Sequence, residues 1–323
     1  MIATELTRAW GLRHPVIAGP MARVGGGALA GAVSAAGGLG FIGVGMEDPA
    51  WIAAEAARAR AQAQRFGIGF IAFFLERRPE LLQAALEQEP FVVSISFADA
   101  APWVDRIHAA GARAVTQVQD GAGVRRALAA GVDAIVAQGT DAGGHTGQVG
   151  TLPLLQLAVA LAGPSQTPVI AAGGIATGLG LAAVLAGGAQ AGWIGTRFAA
   201  TQEALGSAAA KARIVAAGED ETVLTRVFDV AEGRPWPERF PGRALRNAFT
   251  ERWHGHEAEL ASERDSAGAQ IAAARERDDY DTAGIYAGQA AGLIDDVPGA
   301  GELVGRLAAD AERALERASR LRA

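Results

Sequence analysis

The 323-residue sequence contains no cysteine. That absence removes disulfides, thiolate nucleophiles and cysteine-ligated metal or iron–sulfur sites together. Lysine occurs once, as Lys211, in an Ala-rich helical stretch beyond the last expected strand, which leaves little room for a Schiff-base mechanism. A basic excess is missing too: the formal charge is -6. Without a Lys/Arg stripe to neutralise phosphates, neither nucleic acid nor an anionic membrane is an expected partner. No apolar run reaches ~18 residues without a charge or a helix breaker, and MIATELTRAWGLRHP lacks an apolar signal core. The chain is therefore expected to be cytoplasmic, neither secreted nor membrane-spanning.

What is present is abundant apolar surface, with half of the residues hydrophobic. Short runs rich in Val, Ile and Phe alternate with longer Ala/Leu/Arg stretches of helical period, the pattern of βα units around a parallel sheet. Eight runs stand out: Val16 to Ala18, Leu39 to Ile42, Ile68 to Ile71, Phe91 to Ser94, Ala114 to Gln117, Ala134 to Gln138, Val169 to Ala172 and Ala191 to Ile194. Eight modules predict a (β/α)8 TIM barrel. Pro49 and Pro79 precede helical stretches, and GAR and GVD follow two later ones where a terminal glycine belongs. After Ile194 the pattern stops. Residues 211–299 are expected to form a mostly helical insertion over the barrel mouth, and residues 300–323 a final helix that completes the barrel of residues 1–210.

Chemistry in a parallel barrel sits at the C-terminal ends of the strands. Strand seven runs into Gly173-Gly174 and strand eight into Gly195-Thr196. Freed backbone N–H groups, a hydroxyl and helix starts there make an anion cradle of the kind barrels use for phosphate, although tight βα turns alone use glycine in the same way. Strand six runs into Gln138-Gly139-Thr140-Asp141-Ala142-Gly143-Gly144-His145-Thr146-Gly147. Glycines let the backbone approach a ligand, and His145 brings a group that exchanges protons near neutral pH. A lone histidine is also a common structural residue. Its place at a strand end between glycines makes it the candidate base.

Other patterns carry less. Gly38-Leu39-Gly40-Phe41-Ile42-Gly43 fits GxGxxG but enters a strand instead of leaving one for a helix, so it is not a dinucleotide fingerprint. His254 and His256 lie in a charged stretch without the further ligands zinc needs, so no metal site is expected. The run Glu251 to Asp279 fits a solvated helical face. Trp236, between two prolines and near Phe240, fits either the substrate mouth or ordinary packing.

With Gly19-Pro20-Met21-Ala22, AQGTDAGGHTG, IAAGGIATG and IGTRFAAT after strands one, six, seven and eight, the chain resembles the nitronate monooxygenase family, formerly called 2-nitropropane dioxygenases. The likeness spans most of residues 14–210 and continues into RVFD, NAFTERW and YAGQAAGLI. It implies noncovalent FMN and oxidation of alkyl nitronates such as propionate 3-nitronate by dioxygen, giving a carbonyl compound and nitrite. His145 would be the active-site base. Gly19, Pro20 and Met21 would lie against the flavin ring with Gln117, Gln138 and Gly144 nearby, and Gly173, Gly174, Gly195 and Thr196 would hold the phosphate. The resemblance also turns Gln289 towards the pocket. Two departures concern substrate and redox potential: Gly69 stands where many members place Asn after strand three, and Gln117 where some have Lys. An FMN-dependent, NADH-linked enoyl-acyl-carrier-protein reductase or NADH:acceptor oxidoreductase shares the same motifs. A phosphosugar enzyme and a noncatalytic flavin binder fit only the cradle. Homo-oligomerisation is left open.

Overall fold

The computed structural model describes residues 2–322. Eight parallel strands close into a barrel in sequence order: Val16–Ala18, Leu39–Val44, Gly67–Ile71, Val92–Ser96, Arg113–Val118, Ala134–Gln138, Val169–Ala172 and Gly192–Ile194. They are the eight expected runs, three with the same bounds and the other five with ends moved by one or two residues.

Alternation along each strand builds two apolar compartments. Ile17, Phe41, Val92, Val115, Val136, Ile170 and Trp193 fill the interior, and Leu6 and Trp10 of the helix Glu5–Trp10 join them. Val16, Ile42, Ile68, Val93, Ile135 and Ile194 belong to the larger cluster shared with the outer helices. Interior volume is matched by glycine. A Cβ on Gly67 would lie 2.4 Å from the Phe41 ring, which also meets Trp193 at 4.6 Å between centroids.

The helices begin and end on the expected punctuation. Asp48 caps Pro49–Arg60 by accepting from the Trp51 N–H at 2.8 Å, with Pro49 in the first turn. Gly111 and Gly131 follow two helices at φ 77° and 72°, a conformation L side chains resist. The helix Gly27–Ala35 has a capping glycine without a side chain, and Glu55 serves from the next helix instead. Its Oε2 accepts from the buried Gly27 N–H at 2.6 Å, while Arg58 pairs with Oε1. Glu55→Ala should therefore cost about 1–3 kcal/mol by stranding that donor, and Glu55→Gln distinctly less. Urea unfolding of both variants checks this, and equal losses would contradict the capping role.

The final helix, Ala300–Ser319, packs against Gly178–Ala186 and Gly27–Ala35, taking the place of the eighth outer helix. Between strand eight and this helix the chain is mostly helical, but it also holds strands Thr222–Thr225 and Gly242–Leu245. These pair antiparallel with each other, and Gly242 and Arg243 pair with His145 and Gly144. Four-residue strands whose partners are distant in sequence leave no local period to read. Among the described residues no helix is long and apolar enough to cross a membrane.

Candidate active site

A cavity of about 1100 Å³ opens at the C-terminal ends of the strands. Gly19, Pro20, Met21, Gln117, Gln138, Gly144, His145, Gly173, Gly174, Gly195 and Thr196 all line it. The strand-end residues singled out by sequence are thus gathered at one place. The volume exceeds the ~300–1,000 Å³ typical of a pocket for one small ligand.

One wall is the glycine pair after strand seven. Gly173 and Gly174 have φ of 107° and 70°, and a Cβ on Gly173 would fall 2.6 Å from Thr151 Oγ1. Both the left-handed backbone and the close approach to Thr151 require glycine here. Gly195 faces open space, with only Met21 Sδ at 3.7 Å from its absent Cβ. The Thr196 hydroxyl accepts from the Gly288 N–H at 2.9 Å, which leaves its own proton to donate. Flexible glycine backbone, an available hydroxyl and open space fit a phosphate group, so these four residues suit the cofactor tail assigned to them.

The first-strand turn forms another wall through close fits. A Cβ on Gly19 would meet Trp193 Nε1 at 2.4 Å. Gly69 lies within strand three, not after it, and its missing Cβ would sit 2.4 Å from Pro20 Cβ and Cγ. Pro20 therefore occupies the space into which an asparagine at this position would project. Gln138 reaches the cavity with its amide engaged, donating to the His145 carbonyl at 3.1 Å and accepting from Gln119 Nε2 at 2.8 Å. It braces the histidine loop. Arg243 braces it from the other side, donating through Nε to the Thr140 carbonyl at 2.8 Å.

His145 is buried and held on three sides. Its Nε2 lies 2.9 and 3.0 Å from the two carboxylate oxygens of Asp229, itself buried. Trp236 stacks on the imidazole at 3.4 Å between centroids and 7° between planes, and Tyr286 stands 5.4 Å away. Phe73 and Phe97 meet Trp236 edge-on and fix it in turn. Trp236 is thus a wall of the site. Because a carboxylate only accepts, Nε2 carries the proton and Nδ1 is the basic nitrogen, with no bonding partner among the described residues.

Burial pushes the His145 pKa below its usual 6.5, while the hydrogen bond and charge of Asp229 pull it back up. The imidazole is therefore neutral at neutral pH. Burial, aided by the Asp229 charge, pushes the Tyr286 phenol well above its ordinary range, so it stays protonated.

Asp229 and Tyr286 were not singled out from sequence, although RVFD and YAGQAAGLI contain them. Gln289 is a correction. Its side chain is exposed and off the cavity wall, where Gly288 and Ala290 lie instead, because its N–H is tied to the Asp141 carbonyl at 2.9 Å. His254 bonds Thr225 Oγ1 at 3.1 Å, and among the described residues no group of three or more His, Asp or Glu is placed to hold a metal ion.

A closed parallel barrel with a buried histidine–carboxylate pair and two glycine turns on one strand-end cavity has the layout of an α/β-barrel enzyme site. Family comparison makes it specific. The nitronate monooxygenase family model matches residues 71–310, and the chain belongs to that family, whose members are oxidoreductases and generally flavin-dependent. A nitronate monooxygenase of Paraburkholderia phytofirmans is 32% identical, with 95% of this chain and 94% of that protein covered. A Mycobacterium tuberculosis protein named (3aS,4S,5R,7aS)-5-hydroxy-7a-methyl-1-oxo-octahydro-1H-indene-4-carboxyl-CoA dehydrogenase is also 32% identical, over 99% of both chains. Among solved structures, FabK from Thermotoga maritima is similar with a TM-score of 0.88, 29% identity and 99% coverage of both chains.

Proposed function

We propose that the protein is an FMN-dependent nitronate monooxygenase that oxidises alkyl nitronates, of the propionate 3-nitronate type, to a carbonyl compound and nitrite with dioxygen. The observation that carries this reading is the Asp229-held, Trp236-stacked imidazole of His145 on the same cavity as the glycine cradle after strands seven and eight. In this reading residues 1–210 and 300–323 form the cofactor-binding barrel, and residues 211–299 cover the substrate. Gly173, Gly174, Gly195 and Thr196 would hold the FMN phosphate, and Gly19, Pro20, Met21, Gln117, Gln138 and Gly144 would surround the ring. FMN bound there supplies the redox chemistry and the reaction with dioxygen.

The residues of this chain handle the proton. For a neutral nitroalkane, Nδ1 of His145 takes the proton from the carbon that bears the nitro group, and Asp229 stabilises the resulting imidazolium through Nε2–H. Tyr286, kept protonated, supplies no second base. Trp236 and the covering segment keep water from the imidazole. A preformed nitronate needs no such proton removal.

Asp229→Asn should lower nitroalkane turnover by roughly 10- to 100-fold, part of the ~10²–10⁴ that a general base supplies. It should also move the acidic limb of kcat/KM to lower pH, because the carboxylate now raises the His145 pKa. An unmoved limb would assign Asp229 a packing role only. In the parent, burial places that limb below pH 6.5. The stability sign agrees: the unfolded chain takes up a proton as pH falls through 6.5 while the native His145 resists it. That contribution is present above pH 6.5 and is lost as pH falls through the lower folded value, which unfolding curves across this range would show.

A second reading is favoured by the relative that acts on a coenzyme-A ester, in which this chain works on an acyl thioester with a nicotinamide donor. One anaerobic experiment decides. The visible spectrum of the FMN-loaded protein is followed after propionate 3-nitronate or NADH is added separately. Bleaching by the nitronate supports the first reading, and bleaching by NADH alone supports the second. Failure to bind FMN sinks both.

A further inference from the structure

Three arginines from separate segments line the cavity, and two of them meet one carboxylate there. Glu232, just after the helix Val227–Ala231, meets Arg234 at 2.5 Å through Oε2, and Arg275 of the helix Arg264–Glu276 at 2.6 Å through Oε1. Arg23, after strand one, stands in the field of both. Burial and then the charges of Arg234 and Arg275 push its pKa down. Its backbone is left-handed at φ 64°, a costly conformation for a side-chain-bearing residue and one that recurs at ligand sites.

The cluster is not balanced by its surroundings. Arg77, Lys211 and Arg264 also reach the cavity, as does Arg78, which pairs with Glu80 at 2.9 Å; without Arg78, six cationic side chains line the cavity with four carboxylates, Glu47, Asp141, Glu232 and Asp265. The chain as a whole carries -6. An excess of cations confined to one cavity calls for a polyanion. Guanidinium forks match phosphate oxygens two at a time, and a pyrophosphate offers more oxygens and charge than the single Glu232 carboxylate. Position narrows the ligand further. Arg234 is two residues from Trp236, so at most about 7 Å of backbone separates the cluster from the wall that stacks on His145. The glycine turns after strands seven and eight belong to other segments of the same cavity.

We propose that Arg23, Arg234 and Arg275 form a second anion subsite, which takes the nucleotide pyrophosphate of a co-substrate and holds Glu232 as an internal occupant until it arrives. A coenzyme-A thioester and a nicotinamide dinucleotide share that group. The inference rests on the second reading, in which a thioester and a nicotinamide donor enter this cavity, but its test reads binding and needs no turnover, so the two can fail separately.

The FMN-loaded protein is titrated calorimetrically with ADP at low and high salt while flavin absorbance is followed. ADP should bind more weakly at high salt and without releasing flavin. Arg234→Gln and Arg275→Gln should each weaken it about 10- to 100-fold, the worth of a charge-assisted hydrogen bond. Arg275→Lys, which keeps the charge but loses the fork, should fall between. Glu232→Gln should tighten binding, because the internal competitor is gone, whereas a purely structural ion pair predicts no gain. Absence of ADP binding, arginine variants that bind ADP like the parent, weaker binding by Glu232→Gln, or release of flavin by ADP would each overturn the proposal. Coenzyme A and NADH titrated separately then distinguish the sources, the true co-substrate binding more tightly than ADP.

Discussion

Replacing His145 by asparagine should reduce turnover of neutral nitroalkanes by about 10²–10⁴, the usual contribution of a positioned base, and spare preformed nitronates. The asymmetry follows from the geometry. Nε2 is committed to Asp229, which leaves Nδ1 as the proton acceptor. Asparagine keeps a polar group of similar reach but has no basic nitrogen. Steady-state kinetics with one nitroalkane and its own nitronate, on protein of equal flavin content, provide the comparison. Equal losses on both substrates would remove the base and leave His145 an orienting or packing role. The stack on Trp236 makes the control necessary, since loss of the imidazole also unpacks a face at 3.4 Å.

Gly69→Asn, which installs the residue that the sequence resemblance leads one to expect, should be among the most damaging single changes near the site. Its Cβ would start 2.4 Å from two carbons of Pro20. Overpacking of that kind costs about 1–3 kcal/mol, and a buried amide without partners about as much again. Pro20 would have to leave the cavity wall, so flavin retention should fall with stability. Urea midpoints and the flavin-to-protein absorbance ratio test both effects. Gly69→Ala isolates the methyl contribution. A Gly69→Asn protein with parental stability and full flavin would show that the turn yields freely and that Pro20 does not set the cavity shape.

The Gly69 case shows how a local departure acquires its meaning. Read along the chain, glycine for asparagine is a lost side chain and a question about substrate. In the fold it is one half of a pair with Pro20, and the two together keep the wall filled. Gln138 teaches the same lesson: its place at the end of strand six was legible, but the bonds to Gln119 and the His145 carbonyl that occupy its amide were not. Trp236 had two readings from sequence, and in the fold it packs on Phe73 and Phe97 while also lining the cavity against His145.

The barrel, its eight strands and the strand-end glycines followed from sequence because their signals are local. Alternating apolar runs, helix punctuation and positive-φ glycines are set by neighbours a few residues away. The same locality made His145 visible. Its partner was hidden, because Asp229 lies 84 residues further on and is delivered by the segment after strand eight. The short strands that pair with Gly144 and His145, the convergence of Arg23, Arg234 and Arg275, and the exposure of Gln289 are likewise properties of distant segments brought together. Sequence by itself determined the scaffold and the strand-end residues that line its cavity. Tertiary structure decided which nitrogen of His145 is basic and how charge is distributed around it, because both depend on contacts that no local period encodes.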